Sequence, residues 1–451
     1  MKSIASRTGM ALLLAGLLLF GLLTFVIRYF IYSDHWFSHS HSADGLSVQQ
    51  VNDRNGSVLY APKTDEPYAA DALVRKATVH LLGDRNGYID PLLLKQFLPQ
   101  LAGFDKINGT YGMASGTGVV DLTIDSRVES VALQKLNGRK GAVGVYNYKT
   151  GEVLCAVTTP TFDPYRPPEN FEDDAAWEGV FLHRFFQSTY TPGSIFKLVT
   201  TAAALETIPD IQDRTFTCTG SVTVNGEVIH CENGRAHGVQ TLQDALANSC
   251  NCAFAAIAQE VGAAGLTRKA AQIGVTESMF VDGYWTRAGH FDLAGADSNS
   301  VAWAGIGQHR DLVNPCQYLT WIGAIANRGR AAMPHLVRRV VSNGEVRYEA
   351  KTEYTDDLIT ASAARELTEM MHNNVVQKYK GVNFSGVKVC AKSGTAEVAG
   401  KAATSTFAGF IADSRYPLAF MVVVEEGGSG AALGVTADVL WASIQAMKAK
   451  G

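Results

Sequence analysis

The sequence has no run rich in lysine and arginine and no basic stripe interleaved with aromatic residues. Its 451 residues carry 43 acidic and 39 basic side chains, which gives a formal net charge of -4. Proteins that bind nucleic acid neutralise phosphates with clustered basic residues, so we expect no nucleic-acid partner. A chain of this length can bury a sizeable core without a metal or a disulfide. We therefore predict no cofactor and no metal site.

Cysteine is scarce. The seven residues are an odd number and are scattered, so cysteine usage does not by itself identify the compartment. Cys218 and Cys231 flank a segment whose Asn-Gly centre is typical of a tight hairpin turn, which would bring the two sulfurs together. The sequence leaves open a Cys218–Cys231 disulfide or two small buried thiols. Cys155 and Cys390 lie in apolar strand-like runs and are expected to be buried thiols.

Only one hydrophobic run is long enough to cross a bilayer as a helix, and it extends from Thr8 to Ile27. Lys2 and Arg7 precede it, which favours a cytoplasmic N-terminus. An arginine and several aromatic residues follow it, in place of the small-residue site at which a signal peptide is cleaved. We predict an uncleaved, single-pass anchor at 8–31, with 1–7 cytoplasmic and all later residues extracytoplasmic.

The rest of the chain divides into a linker and small membrane-proximal module at 32–117 and a main domain at 118–451. Alternating apolar residues and helical periodicity predict strands at both ends of the main domain and helices between them. The strands are expected at 141–146, 152–157, 387–390, 406–411 and 418–425, and the helices at 194–206, 242–261, 362–376 and 437–449. This order indicates an α+β fold, with an antiparallel sheet flanked by helices plus a helical lobe.

A candidate nucleophile follows a Pro-Gly pair that interrupts regular secondary structure. Pro192 and Gly193 precede an alanine-rich, helix-forming run, which places Ser194 at a helix N-terminus. Lys197 follows one turn later on the same face. A lysine whose pKa is lowered by burial and a nearby cation can take the proton of a hydroxyl and so activate the serine. Serine is also a common N-cap, so this pair carries little weight alone.

Two further short motifs follow along the chain. Ser249 and Asn251 fall just inside the second predicted helical segment and offer a hydroxyl and a carboxamide that can relay a proton and hold a peptide. Lys392-Ser393-Gly394-Thr395 comes after an apolar strand; its cation and hydroxyls suit a carboxylate, and its glycine lets a substrate backbone approach. Lys149-Thr150-Gly151 has a similar composition but lies at a predicted hairpin tip, so we interpret it as a turn.

The ordered set S-x-x-K, S-x-N and K-S-G-T resembles the penicillin-binding protein and serine β-lactamase superfamily. Further stretches resemble the monofunctional, class B penicillin-binding proteins. They are Leu122–Asp125, Lys149–Leu154, Phe162–Pro164, Tyr190–Ser194, Gly305–Gln308 and Ala326–Gly329. The resemblance covers about residues 119–426. It implies a serine-type peptidoglycan D,D-transpeptidase that β-lactams acylate.

The resemblance also implies a role for each matching catalytic residue. Ser194 would attack the D-Ala-D-Ala carbonyl, and Lys197 would accept its proton. Ser249 would pass a proton toward the departing D-Ala, and Lys392 would support this proton network electrostatically. Asn251 would bind the substrate amide.

The remaining motif residues would bind substrate. Ser393 and Thr395 would hold the terminal carboxylate beside Gly394, and the backbone NH groups of Ser194 and Thr395 would form an oxyanion hole. The implied partners are stem peptides, β-lactams and the cytoplasmic membrane. The segment between anchor and main domain is too short for a glycosyltransferase domain, so a separate membrane glycosyltransferase is also expected. A D,D-carboxypeptidase or a non-catalytic penicillin-binding sensor or scaffold remains an alternative.

Overall fold

The computed structural model describes residues 2–40, 48–102, 104–107, 109–110, 118–398 and 400–448. Parts of the predicted module, at 41–47 and 111–117, and residue 449 of the predicted last helix lie outside these ranges. The described α-helices are α1 Lys2–Ser40, α2 Ala72–Leu82, α3 Leu92–Gln96, α4 Leu98–Leu101, α5 Ser126–Leu136, α6 Arg184–Gln187, α7 Lys197–Thr207, α8 Leu242–Ala247, α9 Asn251–Gln272, α10 Ser298–Ile306, α11 Pro315–Ala326, α12 Ala361–Lys378 and α13 Ala431–Lys448.

Strands alternate with these helices along the chain. They are β1 Val48–Asn52, β2 Val58–Tyr60, β3 Phe104–Asp105, β4 Gly109–Thr110, β5 Gly118–Leu122, β6 Gly141–Asn147, β7 Val153–Thr159, β8 Thr215–Cys218, β9 Ser221–Val224, β10 Glu227–His230, β11 Gly238–Thr241, β12 Phe280–Val281, β13 Tyr284–Trp285, β14 Val337–Ser342, β15 Glu345–Glu349, β16 Val389–Val398, β17 Lys401–Ile411 and β18 Leu418–Val424.

Helix α1 carries the apolar run. Its segment Ser6–Ser33 is long and apolar enough to cross a membrane, and its most apolar 18 residues are not buried against the rest of the chain. Apolar side chains on a helix of this length avoid water only in an apolar surrounding such as a bilayer. The segment encloses the predicted anchor at 8–31.

Five antiparallel strands form the main sheet, in the order β16-β17-β18-β6-β7. Side chains alternate between the two faces of a strand, and both faces of β6 are covered. Val143 and Val145 pack in one core with Val439 of α13, whereas Tyr146 packs in the other core with Trp321 of α11. Strands from the two ends of the main domain therefore meet in one sheet between helices, which is the predicted α+β arrangement.

A second sheet joins the module to the main domain. Its order is β15-β14-β5-β1-β2, with β1 parallel to β5 and antiparallel to β2. The strands on the two sides of the predicted boundary at residue 118 therefore hydrogen-bond to each other. The module at 32–117 contributes β1 and β2 to this shared sheet, while its β3 and β4 pair with each other in a two-stranded sheet.

Candidate active site

Ser194 lies in a 3-10 turn, Gly193–Phe196, that leads directly into α7; we call it the serine turn. Lys197 is the first residue of α7, and its Nζ lies 2.7 Å from Ser194 Oγ. The Lys197 side chain is fully buried, while Ser194 is half-buried and remains accessible. The predicted placement of both groups on one face therefore produces a direct contact.

Ser249 and Asn251 lie at a break between two helices, where the sequence predicted a continuous helix over 242–261. Ser249 has φ +52°, a left-handed conformation that ends α8, and Cys250 caps the start of α9. This break turns both side chains toward the serine turn. Lys197 Nζ lies 2.8 Å from Asn251 Oδ1 and 3.4 Å from Ser249 Oγ.

Lys392 completes the cluster from the opposite side. The sequence placed Lys392–Thr395 just after a strand, but β16 continues through these residues to Val398. Continued pairing with β17 holds the segment straight, with Lys392 opposite Ala408. Lys392 Nζ lies 3.0 Å from Ser249 Oγ and 2.8 Å from the carbonyl oxygen of Ser393. The four predicted catalytic side chains thus form one connected group.

The two lysines of this group have perturbed pKa values. Burial, followed by the positive charge of Lys392, holds the pKa of the Lys197 amine well below its usual value. Burial lowers the pKa of Lys392 to about 7, opposed by the carboxylate of Glu232. A neutral amine in contact with a hydroxyl can take its proton. The electrostatics therefore favour Lys197 as a base toward Ser194 Oγ.

Strand β16 lies directly against the serine turn. Gly193 has φ +58°, and a Cβ added there would clash with the backbone of Thr395. A Cβ on Gly394 would clash with the carbonyl oxygen of Pro192. Gly394 therefore also makes room for the serine turn, and its predicted role toward a substrate backbone stays a prediction. The close approach sets the backbone of Thr395 against the serine turn, and Ser393 and Thr395 are half-buried.

Two polar side chains that the sequence analysis did not assign support β16. The Tyr379 hydroxyl lies 2.9 Å from Ser393 Oγ and accepts a hydrogen bond from the Ser393 backbone NH at 3.1 Å. Gln308 Nε2 donates to the carbonyl oxygen of Thr395 at 2.9 Å. Gln308 belongs to one of the family-like stretches, so the sequence carried a signal for it. Tyr379 follows an amphipathic helix, and no motif in the sequence indicated a role for it.

The other predicted residues lie outside this group. Lys149-Thr150-Gly151 forms the turn between β6 and β7, as predicted, and Lys149 Nζ contacts Asn327 Oδ1 at 2.6 Å. Cys155 and Cys390 are buried in β7 and β16, also as predicted. The sulfurs of Cys218 and Cys231 lie 3.6 Å apart and are not bonded to each other. The predicted hairpin between them is present as β9 and β10.

We expect Gly193→Ala to destabilise the protein. An alanine would be strained at φ +58° and would press on β16, so the free energy of unfolding should fall by about 1–3 kcal/mol. Thermal melting of the full chain in detergent measures this loss. Gly434→Ala is the matched control, because Gly434 lies exposed in α13 with open space around its Cβ position. Equal melting temperatures for both variants would contradict the tight contact.

The geometry agrees with a comparison across protein families. Residues 141–444 match the family described as the penicillin binding protein transpeptidase domain. The chain belongs to this family. The match covers the main sheet, the serine turn, the Ser249 break and β16, so the resemblance inferred from the motifs is confirmed.

Proteins of two bacterial species are similar to this chain in sequence or fold. The peptidoglycan D,D-transpeptidase PbpA of Mycobacterium tuberculosis is 28% identical over 307 residues, 62% of this chain and 61% of that protein. Penicillin-binding protein A from M. tuberculosis, solved as a ceftriaxone acyl-enzyme complex, has a TM-score of 0.76 at 22% identity, over 89% of this chain and 99% of that one. The D,D-transpeptidase domain of a peptidoglycan glycosyltransferase from Eggerthella lenta has a TM-score of 0.74 at 24% identity. The alignment covers 90% of this chain and 99% of that one.

These two solved structures share the fold of this penicillin-binding protein. The chain spans about 61% of the length of the PbpA relative that it matches. The α+β fold class predicted from the sequence is thus confirmed by both the strand topology and the structural neighbours.

Proposed function

We propose that this penicillin-binding protein is a serine-type peptidoglycan D,D-transpeptidase that crosslinks stem peptides and is acylated by β-lactams. One observation carries the proposal. The hydroxyl of Ser194, the amine of Lys197, the hydroxyl of Ser249 and the amine of Lys392 form a continuous chain of contacts of 3.4 Å or less. Such a chain can move a proton away from an attacking hydroxyl and toward a leaving group.

Acylation would begin at Ser194. Its Oγ attacks the carbonyl of the penultimate D-Ala, and the hydroxyl proton passes to Lys197 Nζ, 2.7 Å away. The backbone NH groups of Ser194 and Thr395 are proposed to receive the oxyanion, since the serine turn and β16 are in contact. The C–N bond then breaks, and Ser249 delivers a proton to the departing D-Ala amine. The amine of a second stem peptide finally attacks the ester, which restores the Ser194 hydroxyl.

Substrate binding would use β16 and the helix break. Ser393 and Thr395 offer hydroxyls for the terminal carboxylate, next to the buried amine of Lys392. Asn251 would donate to a substrate carbonyl, although its Nδ2 donates to the carbonyl oxygen of His230 at 2.8 Å in the present structure. β16 is the terminal strand of the described main sheet, so an extended peptide can lie along it.

The location and partners of the protein are part of the same proposal. The apolar segment Ser6–Ser33 supports a single-pass anchor in the cytoplasmic membrane, with 1–7 inside and the main domain outside. The described residues from 48 to 110 form only short helices and strands. Glycan strands for crosslinking would therefore come from a separate membrane glycosyltransferase.

The proposal is tested with the full chain in detergent. Benzylpenicillin should add one covalent adduct by intact-mass analysis, and digestion should place it on the peptide that contains Ser194. A donor peptide ending in D-Ala-D-Ala plus an acceptor amine should then give an amide product and free D-Ala. Free D-Ala without the amide product would identify a carboxypeptidase. Absence of any adduct on the wild-type chain would overturn the proposal.

A further inference from the structure

A second cluster of reactive side chains lies directly behind the Ser249 break. Cys218 ends β8, Cys231 follows β10, His237 precedes β11, and Cys250 caps α9. Their three sulfurs and one imidazole nitrogen all lie within 4.8 Å of one another. The proposed transpeptidase chemistry uses none of these four groups. Three thiols and an imidazole are the ligands that soft divalent cations prefer.

The spacing of these atoms distinguishes a metal site from a disulfide. Cys231 Sγ lies 3.6 Å from Cys218 Sγ and 3.8 Å from Cys250 Sγ, and Cys218 Sγ lies 3.4 Å from His237 Nδ1. A tetrahedron with Zn–S bonds of about 2.3 Å has sulfur–sulfur edges of about 3.8 Å and sulfur–nitrogen edges of about 3.6 Å. A disulfide requires sulfurs about 2.05 Å apart. The three observed distances are close to these edges, and the other three pairs of atoms lie within 4.8 Å of each other.

We propose that Cys218, Cys231, His237 and Cys250 bind one Zn²⁺ ion in a closed tetrahedral site. Four protein ligands leave no position open for water or substrate, which is the pattern of structural zinc and not of catalytic zinc. The three cysteines are buried, and His237 is half-exposed, which gives the ion a route of entry. Cys250 Sγ also accepts the backbone NH of Ala253 at 3.4 Å, a contact that stabilises a thiolate ligand.

The site is placed to position the residues beside the nucleophile. Cys250 stands between Ser249 and Asn251, and the Asn251 amide donates to the carbonyl oxygen of His230, the neighbour of Cys231. A bound ion would thus tie the helix break to the β9–β10 hairpin. The local sheets β9–β10 and β8–β11 have two strands each. Such small sheets are marginal in isolation, so a cross-link through a metal adds order where the fold supplies little.

A fourth thiol lies next to the proposed ligands. Cys252 Sγ lies 3.6 Å from Cys231 Sγ, but the set of atoms in mutual reach contains Cys250 and not Cys252. Sequence reasoning missed the site because its ligands are spaced by 12, 5 and 12 intervening residues, without the short C-x-x-C pairs that usually indicate zinc.

The experiment measures zinc in the full chain purified in detergent without chelator. Elemental mass spectrometry should find about one zinc per wild-type chain, and a chelated chain should regain it from Zn²⁺ alone. Cys218→Ala/Cys231→Ala should hold less than about a tenth as much. The matched control is Cys155→Ala/Cys316→Ala, which removes two buried thiols outside the cluster and should retain zinc. If the cluster variant does not fold, His237→Ala tests the same site. Removing this half-exposed ring should disturb the fold less than removing two buried thiols.

Several outcomes would overturn the inference. They are a wild-type chain that takes up no zinc, a cluster variant that keeps as much zinc as its control, or an intact mass that reports a Cys218–Cys231 disulfide. Chelation should also slow acylation by benzylpenicillin at least about tenfold, with recovery on adding Zn²⁺. Unchanged acylation by the zinc-free chain would refute the positioning role. Zinc content is independent of the proposed transpeptidase activity, so a failure of one is distinguishable from a failure of the other.

Discussion

Ser194→Ala is expected to abolish covalent labelling by benzylpenicillin while the protein stays folded. The substitution removes the oxygen that would form the acyl bond, so the loss should be complete and not merely a slower rate. The fold should tolerate it, because Lys197 Nζ keeps its contacts with Asn251 Oδ1 at 2.8 Å and the Ser249 carbonyl oxygen at 3.3 Å. Intact-mass analysis after prolonged incubation measures the adduct, and thermal melting verifies the fold.

Ser130→Ala is the matched control for this loss. Ser130 is also half-buried, and its hydroxyl donates to the carbonyl oxygen of Ser126 within α5, so the variant removes a comparable side chain outside the site. It should be labelled as fast as the wild type. A Ser194→Ala protein that still gains the penicillin mass would show that another residue is the nucleophile.

The pairing of Ser194 with Lys197 could be predicted because it depends on local geometry. Residues three apart on a helix are neighbours, and Pro192-Gly193 marks the start of the turn. The convergence of Ser249 and Lys392 on this pair came from family resemblance. Local patterns carry no information about groups 55 and 198 positions along the chain from Ser194. Only the sheet and the helical lobe bring them together.

Backbone features at the site were the least predictable. Helical periodicity continues across 242–261, so nothing in the pattern signalled that Ser249 adopts φ +52° and splits the segment into α8 and α9. The same holds for β16, which was expected to end at Cys390. Polar residues usually mark the end of a strand in sequence, but here Lys392 is buried inside one. Tertiary contacts override local preference where a site requires it.

Lys197→Met is expected to slow acylation by benzylpenicillin about a thousandfold without removing the nucleophile. General base catalysis contributes about 10²–10⁴ in rate, and methionine fills a similar volume without an amine. Lys197→Arg should be impaired as well, because a guanidinium does not lose its proton at ordinary pH. Second-order acylation rates from time-resolved intact mass, on protein verified by melting, measure both losses.

Lys269→Met separates the loss of a base from the loss of a buried cation. Lys269 is also buried, in α9, and its Nζ pairs with Glu206 at 2.5 Å away from the serine turn. This variant should be less stable, because it leaves the Glu206 carboxylate without the cation that it pairs with. Its folded fraction should still acylate within about threefold of the wild-type rate. The distinction rests on the lowered pKa of Lys197, which burial and the charge of Lys392 produce together. If Lys197→Arg acylated at the wild-type rate, positive charge alone would suffice at this position, and proton transfer from Ser194 to residue 197 would be excluded.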